Sequence, residues 1–245
     1  SIRCMQDRHR LMIKNSNHQP RNFFVALVVT LVTMSSNGAA QVSACESGQA
    51  AIENRLFSVA LSHLTRCLES AGLSDRNLTA ILHMRAVAYS NTGEPRKASE
   101  DYRRSLGIKP PEVAWDLIPL GIYLRQAGQH RESLEILQRA LTLDEDGPGT
   151  GPGMAVYFHL GWTLHELRRF GEAISTYTKG IPKQPNFEGI YLRRALSHEA
   201  MGEREKARMD LIKVIDIGKA RGLDPANALS DYKTKFVEYG LIAND

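Results

Sequence analysis

Apolar and small residues between Tyr157 and Pro185 follow two helical stripes that are separated by a short polar stretch. The first stripe consists of Leu160, Gly161 and Leu164, and the second of Phe170, Ala173, Tyr177 and Gly180. Gly161 and Ala173 lack bulk where two helices would approach closely, while Tyr177 has bulk that fills a gap. The pattern therefore predicts a pair of short antiparallel helices. Such a hairpin cannot bury its faces alone, so it needs copies of itself alongside.

The same pattern recurs along the chain and predicts five helix hairpins at a spacing of about 34 residues. The other copies are marked by Gly48, Ala51, Phe57, Ala60 and Leu64; by Ala86, Tyr89, Gly93, Ala98 and Tyr102; by Gly121, Leu124, Gly128, Ser133 and Leu137; and by Tyr191, Ala195, Gly202, Ala207 and Leu211. A degenerate first copy lies within residues 41–78, and copies two to five lie within residues 79–221. Pro119 falls in the first helix of the third copy, which it is expected to kink or delay.

The period, the helix-turn-helix form and the small residues in register resemble the tetratricopeptide repeat over about residues 43–221. The overall plan is similar to that of exported tetratricopeptide-repeat proteins of Gram-negative bacteria. This resemblance implies an all-α fold, namely a right-handed α-solenoid of about five hairpins. Its function would be to bind a partner protein without catalysis.

Two segments interrupt or follow the repeats. The glycine- and proline-rich insert at residues 147–153 is predicted to be a surface connection, because it lacks the Lys-Ser/Thr of a phosphate-binding loop. Residues 222–245 are predicted to form a capping helix and a tail. The helical stripe that supports this prediction consists of Leu229, Tyr232, Phe236 and Tyr239.

Residues 1–40 have the pattern of a secretory signal peptide, with a basic segment, the apolar run Phe23 to Met34, and small residues up to Ala40. Twelve apolar residues are too few to span about 30 Å of hydrocarbon. The net charge of +4 arises in this leader, and the remainder has equal numbers of basic and acidic residues. A periplasmic or secreted protein is therefore expected, and nucleic acid is not a predicted partner.

Three alternatives to a cleaved leader stay open. An uncleaved leader would anchor the protein to the membrane. The sequence Val42-Ser43-Ala44-Cys45 resembles a lipobox, so Cys45 could instead be lipidated in an outer-membrane assembly component. A cytoplasmic scaffold would retain the leader and have reduced cysteines.

Cys45 and Cys67 remain once Cys4 is removed with the leader, and both fall in the first hairpin. An oxidising compartment favours a disulfide between them, since antiparallel pairing brings their positions opposite one another. The alternative is a pair of reduced cysteines that pack as small apolar residues.

No active site can be assembled from the sequence, so an enzyme is not predicted. The eight histidines are scattered, without a metal-binding pair. No serine or cysteine lies in a nucleophile motif. The sequence therefore predicts no catalytic residue, no metal site and no cofactor.

In the tetratricopeptide family the first helices line a concave groove, and the resemblance assigns particular positions of this chain to it. These positions are His83, Val87 and Asn91 in copy two; Trp115, Ile118, Ile122 and Arg125 in copy three; Phe158, Trp162 and His165 in copy four; and Leu196 and Glu199 in copy five. The centre is apolar and aromatic, so a hydrophobic segment or an amphipathic helix of a partner is the predicted ligand. The lysines and asparagines with which chaperone-binding members clamp a C-terminal carboxylate are absent. Alternatively, both tryptophans pack only between repeats or against the C-terminal helix.

Overall fold

A computed structural model describes residues 36–70, 72–145, 153–223 and 233–242. Within these ranges the chain forms eleven α-helices and no strand, which confirms the predicted all-α class. The helices are α1 Ser36–Glu53, α2 Phe57–Leu68, α3 Asp75–Asn91, α4 Pro95–Ile108, α5 Ala114–Gln126, α6 His130–Glu145, α7 Met154–Glu166, α8 Phe170–Gly180, α9 Glu188–Ala200, α10 Arg204–Ala220 and α11 Lys233–Glu238.

Several predictions lie outside the described residues: the leader up to residue 35, the insert at residues 147–152, and the stripe positions Leu229 and Tyr232. Helix α1 begins at Ser36, before the predicted cleavage point after Ala40. No helix in the described ranges is both long enough and apolar enough to cross a membrane.

The helices pair into five consecutive hairpins, and the chain divides after Pro110 into two compact units. Unit 1 contains the hairpins α1–α2 and α3–α4. Unit 2 contains the hairpins α5–α6, α7–α8 and α9–α10, together with α11. Within each unit, the second helix of one hairpin packs against the first helix of the next.

Local signals of the sequence explain where individual helices begin. Ser74 precedes α3, and its hydroxyl accepts a hydrogen bond from the backbone N–H of Asn77 at 3.3 Å. Pro95 is the first residue of α4. An N–H at this position has no acceptor within the helix, so the proline costs no helical hydrogen bond. Helix α5 runs from Ala114 to Gln126 through Pro119.

Three hairpins have a glycine in the first helix that meets a large residue sixteen positions later, as Gly48 meets Leu64. A methyl group added to Gly161 would lie 2.5 Å from Cε1 of Tyr177, well inside van der Waals contact. In hairpin α5–α6, a methyl group on Gly121 would lie 2.6 Å from Cγ of Leu137. The small residues that the sequence placed in register are therefore the points of closest approach.

Two buried ion pairs repeat the same sixteen-residue spacing. Arg85 donates from Nε and Nη2 to the two carboxylate oxygens of Asp101, at 2.7 and 2.8 Å. Its Nη1 also donates to the Thr65 hydroxyl in the preceding helix α2, at 3.2 Å. The bond to Asp101 raises the pKa of Arg85. This arginine therefore joins α2, α3 and α4 through one side chain.

Unit 2 contains the matching arrangement. Arg194 donates from Nε and Nη2 to Asp210, at 2.8 and 2.6 Å, and from Nη1 to the Thr178 hydroxyl, at 2.9 Å. Arg194 thereby joins α8, α9 and α10. Buried pairs of this kind fix the geometry of neighbours, because removing one partner leaves an uncompensated charge.

A disulfide joins Cys45 of α1 to Cys67 of α2 in the first hairpin. Cys67 is fully buried, and Cys45 is partly buried against the same apolar cluster, which includes Ala51, Ile52 and Leu64. This bond links two residues that are 22 positions apart in the sequence. The pairing is the one that the sequence predicted.

We expect reduction of this disulfide to lower the free energy of unfolding by about 3 kcal/mol, because the bond restricts the unfolded chain. Urea unfolding followed by circular dichroism, with and without reductant, measures the change. A Cys45→Ala/Cys67→Ala variant should show no response to reductant. An equal stability of the reduced and oxidised proteins would contradict this account.

Gly161→Ala should destabilise the protein by about 1–3 kcal/mol, because the added methyl group overlaps the ring of the fully buried Tyr177. The matched control is Gly171→Ala in α8, where nothing lies within 4 Å of the added methyl group. This control should stabilise the protein by about 0.5–1 kcal/mol. Urea unfolding of both variants tests the contact, and equal effects would contradict it.

Candidate functional site

The predicted groove positions of unit 2 lie on its three first helices, α5, α7 and α9, and α7 contacts both of the others. Ile118 and Ile122 of α5 are 3% and 5% exposed, so these two predicted groove residues are buried in the packing of unit 2. Trp115, Arg125, Phe158, Trp162, His165, Leu196 and Glu199 each keep a part of their surface exposed.

Trp162 lies at the centre of this face, between two arginines from the neighbouring helices. The guanidinium carbon of Arg125, from α5, is 3.7 Å from the centre of the indole ring. That of Arg193, from α9, is 3.3 Å from the same ring centre. The indole N–H donates to a carboxylate oxygen of Glu166 at 3.0 Å. We call these four residues the arginine–tryptophan cluster.

Aromatic rings extend this cluster along α7. The ring of Phe158 lies edge-on to Trp162, with 5.7 Å between ring centres, and edge-on to Phe187, with 5.1 Å. Phe187 directly precedes α9, so these contacts join the second and third hairpins of unit 2. The result is a continuous aromatic surface that remains partly exposed.

The positive charge at this site comes from the arginines. Burial and the neighbouring Arg193 lower the pKa of Arg125 to about 10, so Arg125 stays protonated at neutral pH. Burial, together with both arginines, lowers the pKa of His159 to about 3. Burial also lowers the pKa of His165. Both histidines are therefore neutral at pH 7.

Two predicted groove residues contact other parts of unit 2. Nδ1 of His165 lies 2.9 Å from the hydroxyl of Ser197 in α9. Glu199 accepts a hydrogen bond from Nζ of Lys235 at 2.6 Å, and Lys235 belongs to α11. Helix α11 also buries Phe236 completely. It therefore packs against the last hairpin, next to Glu199.

The predicted positions of unit 1 are placed differently. Nε2 of His83 lies 2.7 Å from the hydroxyl of Ser105, and its ring stacks on Tyr102 with 4.4 Å between centres. His83 therefore packs within its own hairpin. Val87 is partly buried, and its carbonyl accepts a hydrogen bond from the exposed side chain of Asn91 at 2.8 Å.

The sequence did not predict Arg193 or Phe187 as members of the site. The family pattern assigns Leu196 of α9 to the groove, and Arg193 lies three positions before it. The two adjacent arginines, Arg193 and Arg194, are the sequence feature that could have indicated this role. One of these arginines pairs with Asp210 inside the hairpin, which leaves the other to reach the neighbouring helix α7.

No group of three or more histidine, cysteine, aspartate or glutamate side chains that could hold a metal ion occurs in the described ranges. The chemistry that the site offers is recognition by aromatic surface and guanidinium charge.

Two models of the tetratricopeptide repeat match the chain, at residues 79–112 and at residues 112–183. These segments comprise the second hairpin and the next two, which are the copies that the sequence pattern marks most clearly.

Solved structures of MamA have a similar fold. A crystal structure of the MamA protein is 20% identical, with a TM-score of 0.58, over 85% of this chain and 100% of that chain. MamA from MSR-1 is 21% identical, with a TM-score of 0.57, over 74% of this chain and 98% of that one. A double mutant of MamA RS-1 is 14% identical, with a TM-score of 0.60, over 77% and 98%.

The hairpins and the matching repeat models define the class of these repeats: residues 79–183 are tetratricopeptide repeats, and the similar solved structures share the fold. The repeat is that of α-solenoid proteins that serve as scaffolds for protein–protein interaction and are generally non-catalytic.

Proposed function

We propose that this protein is a non-catalytic adaptor that holds a partner protein on the face of unit 2 formed by α5, α7 and α9. The observation that carries the proposal is the partly exposed aromatic surface of Phe158 and Trp162, with arginines on the helices to either side. Aromatic and arginine side chains dominate the binding energy of protein interfaces. The predicted ligand is a hydrophobic or helical segment of the partner.

The packing of helix α5 supports the proposal. Ile118 and Ile122 of this helix are buried, so a ligand would meet a surface that is already packed. A rigid surface loses little conformational entropy when it binds. Packing between repeats uses part of Trp162, but the exposed remainder is available to a partner.

Trp162→Ala should weaken partner binding by at least about 30-fold, which is the effect of removing a central aromatic contact. The measurement is recovery of cross-linked partners from a periplasmic extract, quantified by mass spectrometry. The control is Met209→Ala, because Met209 is 69% exposed on the second helix α10. Both variants should keep the helicity of the parent protein.

One or a few proteins should be lost with Trp162→Ala and retained with Met209→Ala. Equal recovery by the two variants would contradict the assignment of this face.

We propose further that the protein is exported and that residues 1–40 are removed. The apolar run Phe23 to Met34 behind a basic segment supports export. The disulfide between Cys45 and Cys67 also supports it, since such bonds persist in oxidising compartments. A cysteine in a disulfide has no thiol for lipidation, so the bond favours a soluble form over a Cys45-anchored lipoprotein.

The mass of the protein isolated from a Gram-negative host tests this proposal. We expect an N-terminus at Gln41 and a gain of two hydrogens on reduction. An acyl mass on Cys45 would instead establish the lipid-anchored alternative. Retention of the leader with reduced cysteines would establish the cytoplasmic one.

A further inference from the structure

We infer that the partner segment held on unit 2 carries an acidic side chain, whose carboxylate binds Arg125 beside Trp162. This inference rests on the proposed function and specifies the chemistry of the partner: an apolar segment with an aspartate or glutamate among its contact residues.

The geometry of Arg125 is the first argument. Its Nε atom is buried and has no hydrogen-bond partner among the described residues. A buried guanidinium N–H normally has an acceptor, because leaving it unpaired is unfavourable. The residue as a whole is partly exposed, although its Nε atom is not, so we infer that a carboxylate from outside binds the terminal nitrogens of the guanidinium group. The planar fork of an arginine matches a carboxylate in two parallel hydrogen bonds.

The charges around Arg125 are the second argument. Arg193 lies on the same indole ring and opposes the positive charge of Arg125. Arg193 lowers the pKa of Arg125, and the carboxylate of Glu166 partly offsets this decrease. The same carboxylate accepts a hydrogen bond from the indole N–H of Trp162 at 3.0 Å. His159 and His165 are neutral at pH 7, so they add no further positive charge. A carboxylate of a ligand placed beside Arg125 would therefore act in the same direction as Glu166.

The surroundings favour a peptide over nucleic acid. Binding along a phosphate backbone requires a track of basic residues. Residues 41–245 carry equal numbers of basic and acidic side chains. The guanidinium group of Arg194 on α9 is already paired with Asp210 inside the hairpin, so it does not extend a basic track. The rings of Phe158 and Phe187 lie beside the cluster and suit apolar side chains.

A selection from a phage library of random twelve-residue peptides tests the inference on the purified protein. We expect the selected peptides to combine apolar residues with an excess of aspartate and glutamate over the unselected library. A selected peptide should lose at least tenfold in affinity by titration calorimetry when its acidic residue is changed to the amide. The Arg125→Gln protein should bind the acidic and amide peptides equally.

Arg139→Gln is the matched control, because Arg139 is exposed on the second helix α6 of the same hairpin. This variant should keep the acidic preference in full. Arg125→Lys keeps the charge without the planar fork, so it should retain only part of the preference. Circular dichroism confirms that each variant is folded.

The outcomes separate this inference from the proposed function. Peptides that lose binding with Trp162→Ala but show no acidic preference would overturn the inference and leave the adaptor function intact. A selection that yields no binding peptide would count against both. Binding of a twelve-nucleotide single-stranded DNA that depends on Arg125, without binding of acidic peptides, would replace the peptide with a nucleic acid.

Discussion

The close approach of two helices within each hairpin is the constraint on which the rest of this fold depends. A small residue in the first helix faces a large residue sixteen positions later, as in Gly161 with Tyr177 and Gly121 with Leu137. The large side chain fills the space that the missing Cβ leaves, so the hairpin interior is densely packed at this point. Most of the first helix is thereby used for folding, as in α5, where eight of thirteen residues are buried.

The position before the small residue is occupied in two different ways in hairpins two to five. Hairpins two and five carry Arg85 and Arg194 there, each paired with an aspartate and bonded to a threonine of the preceding hairpin. Hairpins three and four carry Leu120 and Leu160, both buried. A buried ion pair contributes little net stability, but its geometry specifies one arrangement of three helices. The apolar solution is concentrated in the two hairpins that carry Arg125 and Trp162.

Periodicity predicts the hairpins because every copy must satisfy the same packing, and Trp162 follows from its repeat position. The two-point contact of His83 with Ser105 and Tyr102 could not be predicted, since it depends on the rotamer of a side chain at a position the family assigns to the groove. Arg193 was missed for a related reason. Its long side chain reaches a ring on another helix, whereas a repeat pattern describes only where each Cα lies.

The arginine–tryptophan cluster differs from the packing contacts because some of its interactions oppose folding. The contact between Gly161 and the ring of Tyr177 is apolar and stabilises the fold without any ligand, although the Tyr177 hydroxyl is itself buried without a hydrogen-bond partner among the described residues. Arg125 instead places a charge near Arg193 and buries an N–H without an acceptor, and both features oppose folding. Stacking on Trp162 offsets part of that cost through the attraction between a cation and an aromatic face. Glu166 offsets a further part, and the carboxylate that we infer for the partner would offset more of it.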